Sequence, residues 1–250
     1  MSRLQNYWDA RAALNFMLGG AGAGLMVFTG IVQPATAWPT ALALLLVAAG
    51  LGAVWLETGR KLRALHVLFN PFTSWMTRES FAALLLFPLG LGSIFVPEGL
   101  PFAAAAAAAF LYCQARILRA AKGIPAWRAP EIAALIVATG LAEGAGLCLL
   151  FTQEGLVLGL FALALIARAL AWSRYAAAVK SAALEPAGKL AQIGTVLALL
   201  LILATLYVRE AALLAAIAVI ATGWWLKFAL VTRAAIQEFT LPRLPVRGTR

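Results

Sequence analysis

The side chains best suited to chemistry gather in one stretch, Glu57–Glu79, which holds the only histidine of the chain, His66, together with Asn70, Trp75, Arg78 and Glu79. These types form hydrogen bonds and, in the imidazole and the carboxyl, exchange protons. Leu62, Leu65, His66 and Phe69 recur at i, i+3, i+4 and i+7, whereas Arg60, Lys61 and Arg63 fall elsewhere. That spacing predicts a short helix lying in a lipid headgroup plane, with His66 turned toward the bilayer. Asn70-Pro71 ends it, because the residue before proline is pushed out of the α region. Trp75 and Arg78 then stand where an interfacial anchor belongs, and Glu79 opens the next apolar run.

A second carboxylate, Glu143, lies inside the apolar run Ala138–Cys148. A charge at mid-bilayer depth costs about 3 kcal/mol on insertion scales, so Glu143 is expected to face protein. It is read either as a proton-carrying group or as a carboxyl satisfied by a neighbouring helix. One histidine cannot supply the two axial ligands of a b-type haem, and no spacing of His, Cys, Asp and Glu favours a zinc or iron site. Cys113 and Cys148 sit in apolar runs without metal or disulfide spacing and read as small buried hydrophobes. Nucleophile–base pairs, phosphate loops and dinucleotide fingerprints are absent from the sequence, so bond-making on a soluble substrate is not encoded.

The elements that must position these groups follow from composition. The 250 residues are 63% hydrophobic and 12% charged, with a mean hydropathy of +0.90, which excludes a water-soluble globule. Runs long enough to cross a bilayer fall at 12–33, 37–57, 79–96, 100–118, 130–151, 155–172, 190–207 and 211–231. The predicted fold is therefore all-α: a polytopic bundle of eight transmembrane helices forming one membrane domain. The first run exceeds the apolar core of a signal peptide and is read as an uncleaved span. Gly20/Gly24, Gly140/Gly144 and Gly155/Gly159 are spaced for close helix approach, and packing within the bundle is their expected use.

The net charge of +10 is distributed unevenly. Nineteen of the 20 cations, Arg168 and Lys227 among them, fall with the termini and with every second connection, leaving Arg209 opposite. The positive-inside rule then places both termini in the cytoplasm. The excess reads as topology and lipid contact, and nucleic acid is not expected as a partner.

Three segments carry a family resemblance: Tyr7–Phe16 with the glycine-rich Gly19–Gly24, Thr73–Glu79, and the tail from Val231 to Gly248. They resemble the membrane anchor subunits of molybdopterin oxidoreductases, in the dimethyl sulfoxide reductase anchor group, and are most similar to the anchor of phenylacetyl-CoA:acceptor oxidoreductase. The resemblance implies a haem-free anchor with menaquinone or ubiquinone as its cofactor. Its expected partners are the bilayer, a ferredoxin-like iron–sulfur subunit and a molybdopterin catalytic subunit. It also implies quinone binding by a histidine before the third span and a glutamate at its start, which His66 and Glu79 match, at a shorter interval than in that anchor. Arg78 and Asn70 would then add hydrogen bonds, Trp75 would stack on the ring or shape the mouth, and Glu79 would handle the proton. The dimethyl sulfoxide reductase anchor carries its partners on the periplasmic side. Here the cation bias favours the cytoplasmic side and a substrate there, such as phenylacetyl-CoA. Electron flow from substrate to the quinone pool is the expectation, with quinol oxidation by a reductase as the reverse. Two other classes stay open: a small-solute or ion transporter using Glu143 and the glycines at mid-membrane, and an anchor without a quinone site.

Overall fold

A computed structural model describes residues 3–4, 8–57, 61–235 and 238–239, with the side chains of 3–4, 57, 61–64 and 238–239 left aside. Eight helices in it are long and apolar enough to cross a membrane: α1 Ala10–Val32, α2 Trp38–Leu56, α3 Trp75–Phe95, α4 Pro97–Ala120, α5 Glu131–Cys148, α6 Gly155–Ala178, α7 Glu185–Ala204 and α8 Ala211–Arg233. The chain is a multi-pass helical membrane protein. Apart from a two-residue antiparallel ladder of Arg3–Leu4 with Glu238–Phe239, the described elements are helical. That ladder joins the two ends of the chain at one end of the bundle, as an even number of spans requires.

The ends of the helices have local causes. Asp9 caps α1, its carboxylate accepting from the Arg11 backbone N–H at 2.7 Å, and Gln33 closes the helix with φ of 49° in the left-handed region. Ser74 caps α3 by accepting from the Thr77 N–H at 3.3 Å. This cap starts α3 at Trp75, four residues before the expected start of the third span, so Glu79 lies inside the helix and does not open it. Likewise α6 runs on to Ala178 and α7 begins at Glu185, which shortens the connection expected over 168–189. Both changes carry polar residues into the bundle that a hydropathy window assigns to loops.

Residues Lys61–Phe69 form a 3-10 helix where the apolar spacing predicts an α-helix. Leu65, His66 and Phe69 are exposed. The connection is tied to α3 by the Thr77 hydroxyl, which donates to the Val67 carbonyl. Arg60, Arg243, Arg247 and Arg250 and most of the tail motif lie outside the described residues.

Helices α1 and α5 form the centre. Gly24 of α1 meets the backbone of Gly140 and Gly144 of α5, so any side chain at these positions would separate the helices. By contrast, a Cβ added at Gly155 or Gly159 would meet nothing, and that third glycine pair is not a packing seam. Around the centre α1 also packs on α2 and α4, α3 on α4, α6 on α5, and α8 on both α5 and α7. The outer surface is rich in Leu45, Leu84, Leu163, Ile193, Leu200 and Ile217, all exposed, while alanine and glycine fill the interior. This inversion suits lipid, which solvates large apolar side chains and leaves small residues to bring helices together.

The interior holds two separate apolar clusters. One, toward the end without the termini, includes Met26, Leu44, Phe161 and Val219. The other, toward the end with the termini, includes Phe16, Trp127, Tyr175 and Leu226. Trp127 is pinned by its indole N–H to the Leu230 carbonyl at 2.9 Å. Tyr175 donates to the Ala126 carbonyl at 2.8 Å, so the short helix Pro125–Arg128 is held into the bundle.

Candidate functional site: a polar layer inside the bundle

The site begins at the basic end with Trp75. The guanidinium of Arg78 lies 4.2 Å from its ring centroid and that of Arg116 lies 4.3 Å from it, while Tyr112 packs edge-on at 5.8 Å. Arg78 is fixed by donating from Nε to the Pro71 carbonyl at 2.9 Å and from Nη2 to the Phe72 carbonyl at 2.6 Å. Arg116 donates to the Tyr112 hydroxyl at 2.7 Å. Two cations on one indole make a polarised aromatic platform at the helix ends.

One turn farther in, the carboxyl of Glu79 is buried. Its Oε1 accepts from Asn15 Nδ2 at 3.2 Å. Gln114 Nε2 donates to the Asn15 carbonyl at 2.8 Å and sets the third side of this group. Asn15 opens a π-helical turn, Asn15–Gly19, which interrupts α1. Such a turn widens the backbone and frees groups from the regular ladder, and it recurs at functional sites. Both Asn15 Oδ1 and Gln114 Oε1 are buried with no protein donor among the described residues.

Deeper still lies a fully buried ion pair. Lys227 Nζ of α8 stands 2.6 Å from Glu143 Oε2 of α5, and both side chains are 0% exposed. A second π-helical turn, Ala229–Arg233, begins two residues after Lys227. Arg168 of α6 is buried beside this pair. It donates to Thr195 Oγ1 at 2.6 Å, to the Ala191 carbonyl at 3.0 Å and to the Val219 carbonyl at 3.1 Å. Val219 is one turn from Gly223, against which Glu143 Oε1 rests. Arg168 and Lys227 are thus core residues and do not belong to the basic face with which their place in the sequence groups them.

The expected residues separate. Glu79 and Trp75 are brought together with Arg78 on one helix turn, with Arg78 engaged in holding the 70–74 connection. His66 stays exposed, its ring 5.6 Å from Phe69, and no described contact joins it to Glu79. Asn70 is exposed and accepts from the Thr73 hydroxyl at 2.7 Å, a turn-forming role. Glu143 faces protein, as its burial cost demands, and its partner is Lys227. The residues that sequence reasoning missed are Asn15, Gln114, Arg168 and Lys227. Asn15 and Gln114 carry no charge to set them apart within their apolar runs, and the sequence places the two cations near basic stretches. No protein-family model matches the chain, and no curated protein matches it significantly.

Proposed function

We propose that the chain is the membrane anchor and quinone-reactive subunit of a multisubunit molybdenum and iron–sulfur oxidoreductase. The observation that carries this reading is the Trp75–Glu79 turn. An aromatic platform held between Arg78 and Arg116 stands directly outside a buried carboxyl that is itself held by Asn15. A quinone head group needs a flat apolar face to stack on, donors for its carbonyl oxygens, and a proton source as its oxygens are reduced. Trp75 and the flat guanidinium groups over it shape the mouth, Arg116 and Arg78 offer N–H donors, and Glu79 offers the proton.

In this reading the basic end is cytoplasmic, the membrane is the bacterial inner membrane, and a ferredoxin-like iron–sulfur subunit docks there. Electrons from a molybdopterin subunit oxidising a substrate such as phenylacetyl-CoA pass through that subunit to the quinone pool. His66, on the exposed 3-10 helix, belongs to the mouth of the site and reaches the ring only if quinone entry draws the segment inward. Asn70 then serves the turn that carries this segment. The test is Glu79→Gln in the intact complex: turnover with a soluble quinone should fall about a hundredfold, the scale of a lost acid–base group, while turnover with an artificial dye persists. Unchanged quinone turnover refutes the site.

A second reading, a carrier for a small solute or ion, draws on the buried Glu143, Lys227 and Arg168 at mid-membrane. It predicts a chain that purifies without partner subunits and moves a solute in vesicles.

A further inference from the structure

The two apolar clusters meet across a layer of polar side chains: Asn15, Gln114, Glu143, Arg168, Thr195 and Lys227, all buried and contributed by six of the eight spans. Within it Lys227 is paired with Glu143 and Arg168 is buried in the same layer, so two basic side chains and one carboxyl group lie there. With these three groups ionised the layer carries a net positive charge, in surroundings where net charge is costly. Guanidinium does not release its proton, whereas an ammonium can, and its loss leaves Arg168 and Glu143 to balance each other. Lys227 is the group able to give a proton away.

Polar side chains line the interval between it and Glu79. Against Gly20, the point where a Cβ would stand is 2.7 Å from Lys227 Nζ and 3.1 Å from Gln114 Oε1. Those two atoms are thus less than about 6 Å apart, a span that one water closes with two hydrogen bonds. Against Gly19 the equivalent point is 3.0 Å from Gln114 Nε2 and 3.1 Å from Asn15 Oδ1. Asn15 in turn holds Glu79 at 3.2 Å. The acceptors along this line that no described protein group satisfies, Gln114 Oε1 and Asn15 Oδ1, are the kind that internal water serves.

We propose that Lys227 exchanges a proton with Glu79 through water held by Gln114 Oε1 and Asn15 Oδ1, so that the polar layer stores a proton for the chemistry at the basic end. In the forward step an N–H bond of the Lys227 ammonium breaks, a proton passes along the water, and an O–H bond forms on the Glu79 carboxylate. No electrons move, and the reverse step refills the store. The amides orient the water and are not themselves protonated. Asn15, Gln114, Glu143 and Arg168 are positioning residues in this relay. The proton's use rests on the quinone reading above, but the existence of the route does not.

Two measurements on the intact complex test it. A map at a resolution that shows water should place density within hydrogen-bonding distance of Gln114 Oε1 and Asn15 Oδ1. Gly20→Ala, whose methyl displaces only the flexible end of Lys227 and the Gln114 oxygen, should remove the water between them. A dry interior in the wild type overturns the relay whatever the protein's redox role. The second measurement uses E143Q/K227M, which removes the pair while keeping the net charge of the layer. It should fold, keep its KM for quinone and its dye turnover, and lose about tenfold or more in quinone kcat with a larger solvent isotope effect. Wild-type kcat in the folded double variant overturns the relay and leaves the quinone site standing. Absence of quinone turnover in the wild type overturns the quinone reading, and the water map then decides the relay alone.

Discussion

The buried Glu143–Lys227 pair shows how charge is admitted to an apolar interior: each group is hydrogen-bonded by the other inside the bundle. Lys227→Met removes the described hydrogen-bond donor of the Glu143 carboxylate among α1, α5 and α8, and the expected loss is about 3–5 kcal/mol, read as a lowered Tm in detergent. Combining it with Glu143→Gln should recover most of that loss, because removing both members of a buried ion pair is often neutral. Separate and additive losses would show that the two side chains do not depend on each other. The same logic explains which site residues the sequence revealed. Glu143 stands out because a carboxylate interrupts an apolar run. Lys227 did not, since six residues beyond it the chain is basic again at Arg233, and nothing local says that its partner lies 84 residues earlier. Asn15 and Gln114 are uncharged, and their roles appear only once α1, α3 and α4 are packed.

At the scale of elements, the eight spans were legible because lipid demands long apolar helices and allows little else. Their ends were less so. Ser74 starts α3 a turn early by capping it, and this shift turns Glu79 from a surface residue into a buried one. Glycine spacing was legible in part: the pairs at 20/24 and 140/144 form the α1–α5 seam, while 155/159 faces outward, a difference that needs the helix rotation and not the spacing alone. Gly144→Val should therefore push α1 from α5 and lower expression and Tm sharply, whereas Gly159→Val should be tolerated within about 0.5 kcal/mol. Equal effects at the two sites, measured by thermal unfolding in detergent, would contradict the seam. The π-helical turns at Asn15–Gly19 and Ala229–Arg233 had no sequence signature, yet they adjoin the buried Asn15 and Lys227.

The whole molecule is asymmetric along its axis. One end carries the termini, the basic connections and the Trp75–Glu79 turn. The other has short connections and a depression of about 480 Å³ lined by Leu149–Glu154, Arg209, Glu210 and Leu213. If the basic end docks an electron-carrying subunit, tags at both termini should be reached only from the cytoplasmic side, and labelling of intact cells from outside should modify neither. Tags open to the exterior would reverse the orientation. The central claim, that a quinone binds at Trp75 and Glu79, is tested most directly by cross-linking a photoreactive quinone to the intact complex and mapping the modified peptides. The account predicts adducts in residues 75–79 and 112–116, suppressed by excess unlabelled quinone. Adducts confined to residues 149–154 and 209–213 at the opposite end, or to no part of this chain, would contradict it.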